Sequence, residues 1–258
     1  MRKLIYKKRH PLIWIGLLCV VLVMIGFVLS FIWMLPPDEI ALSAFSSTEQ
    51  VQISDQPTLI VLTPRVEALT GGFIFYPGAR VDPRAYLPLL KPLAEAGFLV
   101  VIPKMPLGFA VLDINRAAEI QGAYPQISCW AIGGHSLGGS MAAEYTVKFP
   151  EKMQGIVFVA SYPATQTSLA SLPILGLVIT GSLDGLVAAE DIAAVKENFP
   201  QETEFVMLDG ANHAQFGHYG TQSGDNPASL SAADQQVKTT QAMLNFFSEL
   251  RMDCGLIE

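Results

Sequence analysis

The stretch that decides the fold spans residues 129–140 and reads CWAIGGHSLGGS. Its first four residues form a short apolar run typical of a buried strand, and the residues from Leu137 onward have the pattern of a helix. Between them, Gly134-His135-Ser136-Leu137-Gly138 matches the pattern Gly-x-Ser-x-Gly, which sets a serine on a tight strand-to-helix turn. The flanking glycines fit such a turn because Cβ atoms would clash there. We therefore predict that Ser136 is exposed and can act as a nucleophile once a base takes its proton.

Two histidines follow Ser136 in the chain, and one of them is well placed to be that base. His213 comes just after a predicted strand at residues 204–208, and such loops gather catalytic groups in open α/β sheets. We expect His213 to be the general base, with His218 as the alternative. His135 precedes the nucleophile and should point away from its reactive face, so we interpret it as a packing or hydrogen-bonding residue.

An acid must orient the imidazole and stabilise its charged form. Asp184 follows a predicted strand at residues 174–180 through a short loop, one strand before the histidine. We predict that Asp184 is this acid. Asp209, which lies just before His213, is the alternative, although it could serve only to shape the turn.

The negative charge that develops when a carbonyl is attacked needs two backbone N–H donors. We expect one donor from Leu137, the residue after the nucleophile, and the other from Ala79 in the loop at residues 77–80. The same loop carries Arg80, which could bind an anionic substrate group or pair with an acid such as Asp82.

Short apolar runs alternate with helical stretches along most of the chain. The predicted strands are residues 58–63, 72–76, 98–102, 128–133, 155–159, 174–180 and 204–208. The predicted helices are residues 83–96, 110–121, 137–149, 188–199 and 231–250. This alternation predicts an α/β fold with a doubly wound, mostly parallel sheet. Only about 14 residues separate the fifth and sixth predicted strands, so we expect no lid domain.

The N-terminal segment predicts a membrane anchor. Residues 11–35 contain no charged side chain, and about 20 apolar residues suffice to cross a bilayer as a helix. Five basic residues precede this run, which favours a cytoplasmic N-terminus. We thus expect a cytoplasmic basic tail (1–10), a transmembrane anchor (11–35), a linker (36–50) and a catalytic domain (51–258) outside the cell membrane. A cleaved signal peptide is the alternative.

Charge and cysteine content narrow the possible partners. Beyond residue 36 the chain has 11 basic and 23 acidic residues, and an acidic domain of this kind disfavours nucleic acid binding. The three cysteines are Cys19, Cys129 and Cys254, none with metal-ligand spacing to another. Their odd number predicts no disulfide framework, and Cys129 is expected to be a buried thiol. We predict no metal and no cofactor, and the oligomeric state stays open.

Five short motifs together resemble a known protein family. They are Gly-His-Ser-Leu-Gly-Gly (134–139), Gly-Ser-Leu-Asp (181–184), Asn-His (212–213), Phe-Tyr-Pro-Gly-Ala-Arg-Val-Asp-Pro-Arg-Ala-Tyr (75–86) and His-Ala-Gln-Phe-Gly (213–217). The first three resemble the α/β-hydrolase superfamily, and the last two are similar to its small lid-less fold-5 family, related to dienelactone hydrolases. The resemblance covers roughly residues 50–250. This sequence departs from the family pattern at two places. It has Tyr-Pro-Gly (76–78) in place of the commoner His-Gly, and Ser136 where dienelactone hydrolases have a cysteine.

The resemblance implies a triad of Ser136, Asp184 and His213 that cleaves an ester or related acyl bond of a small molecule through an acyl-enzyme. Two alternatives remain. The same triad could transfer the acyl group to another acceptor or cleave a peptide, since the acyl-enzyme step is shared. The chain could also be a non-catalytic surface binding protein that keeps the fold.

Overall fold

The computed structural model describes residues 11–66, 69 and 71–256. The chain divides into two compact units, Met1–Trp33 and Met34–Glu258. The first unit contains helix α1 (Pro11–Ile32). Every other helix and strand of the described residues belongs to the second unit.

The second unit contains eight strands and six further α-helices among the described residues. The strands are β1 (Val51–Asp55), β2 (Leu59–Pro64), β3 (Gly71–Tyr76), β4 (Phe98–Pro103), β5 (Trp130–His135), β6 (Gly155–Val159), β7 (Leu175–Gly181) and β8 (Glu202–Leu208). The helices are α2 (Glu39–Ala44), α3 (Leu87–Glu95), α4 (Arg116–Ala123), α5 (Leu137–Lys148), α6 (Ala189–Ala194) and α7 (Ala232–Asp253).

All eight strands form one sheet in the order β1-β2-β4-β3-β5-β6-β7-β8. The pairs β1–β2 and β2–β4 are antiparallel, and all the others are parallel. The predicted mostly parallel α/β sheet is confirmed, and each of the seven predicted strands is present. The first strand, β1, was not among them. Residues 160–174, all of which the structure describes, hold no helix or strand, so no lid is evident there.

Helices cover both faces of the sheet. On one face, apolar residues of α3 and α7 pack against β3 and β4 in a single core that includes Leu90, Phe73 and Phe247. On the other face, α4, α5 and α6 pack over a second core. Because both faces are covered, the central strands β3 to β7 are almost fully buried, as near-continuous apolar runs require.

Three predicted helices are interrupted, among them 188–199, which consists of α6 and a 3₁₀ turn at Lys196–Asn198. The predicted helix 83–96 begins as a 3₁₀ turn at Pro83–Tyr86, and α3 starts only after it, with a proline in its own first turn. A proline is tolerated in a first turn because the N–H that it lacks has no helical partner there. The predicted helix 110–121 likewise splits into a 3₁₀ turn at Ala110–Leu112 and α4, separated by the non-helical backbone of Asp113.

Helix α1 overlaps the predicted anchor at residues 11–35. The predicted basic tail, residues 1–10, lies outside the described residues, as do the side chains of residues 11–13 and 25–32. Within the part of the chain that is described, no helix has the length and apolar character needed to cross a membrane. The predicted transmembrane anchor is therefore not confirmed.

The predicted linker, residues 36–50, is bonded to the domain that follows it. Asp38 caps the start of α2 through its side chain, and Ala41 of α2 is fully buried. The Asp38 carboxylate also lies 3.0 Å from Nδ1 of His218, and the Asp38 N–H donates to the His218 carbonyl. We call residues 34–45 the N-terminal strap, because they cross the surface of the second unit and bond to its loops.

The N-terminal strap also bonds to the loop after β3. The Leu35 N–H donates to the Arg80 carbonyl at 2.6 Å, and the Leu35 carbonyl accepts from the Asp82 N–H at 3.0 Å. Residues Leu35 and Val81 thus pair as a parallel bridge. The strap therefore fixes the backbone of the loop that was predicted to supply an oxyanion donor.

The prediction that the cysteines form no disulfide is wrong. Cys129 and Cys254 are joined by a disulfide, with their Cα atoms 6.1 Å apart, which is an ordinary separation for such a bond. The odd count misled because Cys19, on α1, is the free cysteine. The disulfide ties the chain just before β5 to the end of α7.

Candidate active site

Ser136 occupies the sharp turn between β5 and α5 that its motif predicts. Its backbone has φ 53° and ψ −126°, a left-handed conformation that is strained for a residue with a Cβ. Two hydrogen bonds hold it there: the Ser136 N–H donates to Val159 at 3.0 Å, and the Ser161 hydroxyl donates to the Ser136 carbonyl at 2.6 Å. The turn is thus fixed by neighbouring β6, and Ser136 is partly exposed.

The glycines around Ser136 are required by close packing of backbone. A Cβ on Gly138 would overlap the carbonyl oxygen of Tyr76, at the end of β3. A Cβ on Gly134 would lie 2.5 Å from the same oxygen, and one on Gly139 would lie 2.5 Å from the Ser161 hydroxyl. The small residues therefore let α5 begin directly against the sheet.

His213 and Asp184 meet at the same carboxyl edge of the sheet. Asp184 follows β7 and His213 follows β8, and His213 Nδ1 lies 2.9 Å from Asp184 Oδ2. Neither side chain is exposed to solvent. The structure thus brings the predicted acid and base into direct contact.

The Asp184 carboxylate is held in place by its own loop. Its Oδ1 accepts hydrogen bonds from the N–H groups of Leu186 and Val187, each at 2.8 Å. One oxygen is therefore used by the backbone and the other by His213. Such an arrangement fixes the orientation of the carboxylate, which in turn fixes the His213 ring.

The second ring nitrogen of His213 has no partner among the residues that the structure describes. His213 Nε2 is buried and makes no hydrogen bond to any residue that the structure describes. Since Nδ1 is engaged by Asp184, Nε2 is the nitrogen left to exchange a proton with a nucleophile or a substrate. A buried polar atom without a partner is costly and calls for an explanation, and a catalytic role is one such explanation.

His135 connects the nucleophile's strand to the His213 loop. Its Nε2–H donates to the His213 carbonyl at 3.2 Å, and the two imidazole rings lie 4.5 Å apart between centroids. Its Nδ1 must then be the acceptor, and the Tyr86 hydroxyl donates to it at 2.9 Å. His135 is thus a hydrogen-bonding residue, in line with its interpretation from the sequence. Its bond to the His213 carbonyl holds the His213 loop against the end of β5, next to Ser136.

Burial keeps both His135 and Tyr86 uncharged. Burial, with the nearby His213, lowers the pKa of His135 well below its ordinary value. Burial likewise raises the pKa of the Tyr86 hydroxyl, so this group stays protonated and able to donate. The neutral, singly protonated imidazole that the hydrogen bonds require is therefore also the form that burial favours.

The two predicted oxyanion donors are both available. Neither the Leu137 N–H nor the Ala79 N–H has a hydrogen-bond partner within the described part of the chain. The neighbouring Gly78 N–H is instead taken by the Tyr86 hydroxyl at 3.0 Å. Leu137 also begins α5, whose N-terminal end favours negative charge.

The remaining predicted candidates have other partners or stay predictions. His218 bonds to Asp38. Asp209 is exposed and, among the described residues, its side chain accepts from the Ser182 hydroxyl alone, so neither takes the place of the predicted base or acid. Asp82 is paired with Arg84 at 2.6 Å. The Arg80 N–H donates to the Gly108 carbonyl, while a role of the Arg80 side chain in substrate binding stays a prediction.

Some residues around the site could not be found from the sequence. Tyr86 lies 49 positions from His135, and no motif links the two. Asp225, which bonds the loops of both Asp184 and His213, lies in a segment without a readable pattern. No group of three or more His, Cys, Asp or Glu among the described residues could hold a metal ion, and the expected absence of a cofactor stays a prediction.

Comparisons with known proteins agree with this geometry. In sequence, a chlorophyllase-1 from Citrus unshiu is 27% identical over an alignment of 108 positions, and the match covers 35% of this chain and 33% of that protein. The match thus spans about a third of the length of the curated relatives.

Solved structures show the same fold at low identity. An alpha/beta hydrolase enzyme from the sediment metagenome of the Mar Chica lagoon superposes with a TM-score of 0.58 at 15% identity, covering 77% of this chain and 98% of that one. A membrane phospholipase A, described as a bacterial virulence factor, superposes with a TM-score of 0.60 at 14% identity, covering 94% and 99%.

A match to a protein-family model shows which family the chain belongs to. The model of the alpha/beta hydrolase family matches residues 72–237, which is more than half of the chain and includes Ser136, Asp184 and His213. The chain belongs to the alpha/beta hydrolase family, and this family places it among the hydrolases.

Proposed function

We propose that this protein is a serine hydrolase that cleaves an ester or related acyl bond of a small molecule. The observation that carries the proposal is the buried His213, bonded to Asp184 at 2.9 Å on one nitrogen and without a partner among the described residues on the other. The strained Ser136 at the adjoining turn supplies the nucleophile.

In the proposed reaction, Ser136 Oγ attacks the substrate carbonyl while His213 Nε2 takes its proton. Asp184 stabilises the imidazolium that forms, without itself taking the proton. The N–H groups of Ala79 and Leu137 donate to the oxyanion. His213 then protonates the leaving group, and water attacks the acyl-enzyme with His213 again acting as base.

A fluorophosphonate probe tests the nucleophile directly. We expect it to label the full-length protein and to fail on Ser136→Ala, since the probe reacts with an activated serine hydroxyl. Ser140→Ala is a matched control, because Ser140 lies one helical turn along and its hydroxyl donates to the Tyr162 carbonyl. Labelling that survives Ser136→Ala would refute the assignment, as would its absence from the unaltered protein.

The base is tested by turnover. We expect His213→Ala to lower kcat on short p-nitrophenyl esters by roughly 10⁶-fold, as the loss of a triad histidine does. His218→Ala should change kcat far less, because His218 bonds to Asp38 rather than to Asp184. If the two variants lost activity equally, the choice of base would be wrong. Hydrolysis unaffected by His213→Ala would contradict the mechanism.

We also propose that the catalytic domain lies outside the cytoplasm. Disulfides persist in oxidising surroundings, and the Cys129–Cys254 bond supports a location outside the cytoplasm. This agrees with the sequence prediction of a single-pass protein of the cell membrane whose catalytic domain lies on the extracytoplasmic side. That membrane location rests on the sequence pattern of residues 1–35 alone.

A further inference from the structure

The carboxylate of Asp225 bonds to both loops that carry the proposed acid and base. Asp225 Oδ1 accepts from the Gly185 N–H at 3.0 Å and from the His213 N–H at 3.2 Å. Asp225 Oδ2 accepts from the Ala214 N–H at 2.8 Å. The side chain therefore binds the residue after Asp184, and both His213 itself and the residue after it.

These bonds are of a kind that positions backbone firmly. Asp225 has no cationic partner among the ion pairs of the described residues, so its charge is directed at the backbone N–H groups. Hydrogen bonds to an ionised carboxylate are stronger than those between neutral groups. The chain also approaches closely here, since a Cβ on Gly185 would lie 2.6 Å from the Gly224 carbonyl and 2.8 Å from the Asn226 nitrogen.

The geometry of the acid–base pair depends on this link. Asp184 and His213 come from different loops, 29 positions apart, and face each other across a 2.9 Å hydrogen bond. Each loop is fixed locally, Asp184 by the Leu186 and Val187 N–H groups and His213 by His135. Asp225 bonds to both loops at once, at the residues adjoining the pair.

We propose that Asp225 is a positioning residue that holds His213 and Asp184 in register for proton transfer. This inference rests on the proposed triad, because it assigns Asp225 a role through His213 and not in contact with the substrate. A misplacement of about 1 Å at a reacting group can lower the rate about 100-fold. Loss of Asp225 should therefore act on the chemical step more than on substrate binding.

The test compares Asp225→Asn and Asp225→Ala with Asp191→Asn. Asp191 is a matched control: it is similarly half-buried, and its carboxylate accepts from the Ala188 backbone N–H at 2.9 Å, at the start of α6. Turnover of a p-nitrophenyl ester is measured per active site titrated with the fluorophosphonate, so that unfolded protein does not count. The full-length protein is used throughout.

We expect kcat to fall about tenfold in Asp225→Asn, which keeps one acceptor oxygen, and about 100-fold in Asp225→Ala. KM should stay within about twofold, and Asp191→Asn should keep the kcat of the unaltered protein. The low-field proton resonance of the His213–Asp184 hydrogen bond, identified by its loss in His213→Ala, should shift or broaden in the Asp225 variants alone.

Three results would overturn the proposal: an unchanged kcat per titrated site in both Asp225 variants, a rise in KM without a fall in kcat, or an equal loss in Asp191→Asn. Should Asp225→Ala fail to fold, the milder Asp225→Asn still decides between these outcomes. Failure of the proposed function would look different, because the unaltered protein would then neither react with the probe nor turn over the ester.

Discussion

His135 commits both of its ring nitrogens to hydrogen bonds. It accepts from Tyr86 and donates to the His213 carbonyl, so one imidazole joins the 3₁₀ turn at Pro83–Tyr86 to the loop after β8. Its position before the nucleophile allowed the sequence to indicate a hydrogen-bonding role. The partners could not be predicted, because each comes from a distant part of the chain.

Burial of the His135 ring should make the free energy of unfolding depend on pH. The folded-state pKa of His135 is lowered below its unfolded value of about 6.5, so folding favours the neutral ring. Above about pH 6.5 the neutral ring costs the folded state nothing. As the pH falls below that value, the free energy of unfolding decreases by at most about 1.4 kcal/mol per pH unit. We expect His135→Gln to reduce this slope in urea unfolding between pH 5 and 8. Equal slopes in the two proteins would contradict the prediction.

The turn from β5 into α5 is an element that the sequence specifies fully. The motif predicts the strand, the turn and the helix, and the structure contains all three. The parallel strands were predictable for a related reason, since burial on both faces produces continuous apolar runs. Strand β1 was missed because it is an antiparallel edge strand without an apolar run. Four of its five residues are at least partly exposed.

Two glycine substitutions separate close packing from helix propensity. Gly138→Ala should inactivate the protein, because its Cβ would overlap the Tyr76 carbonyl and displace the turn that holds Ser136. Gly122→Ala, within α4 and with nothing within 4 Å of the added Cβ, should keep activity and raise the unfolding free energy by about 0.5–1 kcal/mol. Fluorophosphonate labelling and urea unfolding measure both effects. A Gly138→Ala protein that labels at the normal rate would show that the turn can yield.

At the scale of the whole molecule, the sequence predicted the sheet, the absence of a lid and the residues of the candidate triad. It did not predict what joins distant parts of the chain. The disulfide closes a separation of 125 residues, and the contacts of Asp225 span 40 and 12 residues. Such pairings arise from tertiary packing, on which local periodicity carries no information.

Reduction of the disulfide should destabilise the domain. Breaking a native crosslink over a long loop lowers the unfolding free energy by about 2–5 kcal/mol. We expect a reductant to do so in the unaltered protein and to have no effect on Cys254→Ser, while Cys19→Ser behaves like the unaltered protein. Thiol labelling of the denatured chain should give one adduct before reduction and three after it, since Cys19 is the free cysteine. Three adducts without reductant would show that the bond does not form.

The N-terminal strap bears on how this protein can be shortened or fused. A passive spacer could be cut at any point or exchanged for a flexible peptide. Here Leu35 bonds to the loop that carries Ala79, and Asp38 bonds to His218, beyond the proposed base. A version of the protein that begins after residue 38 would therefore lose both sets of bonds, whereas one that begins at Met34 would retain them.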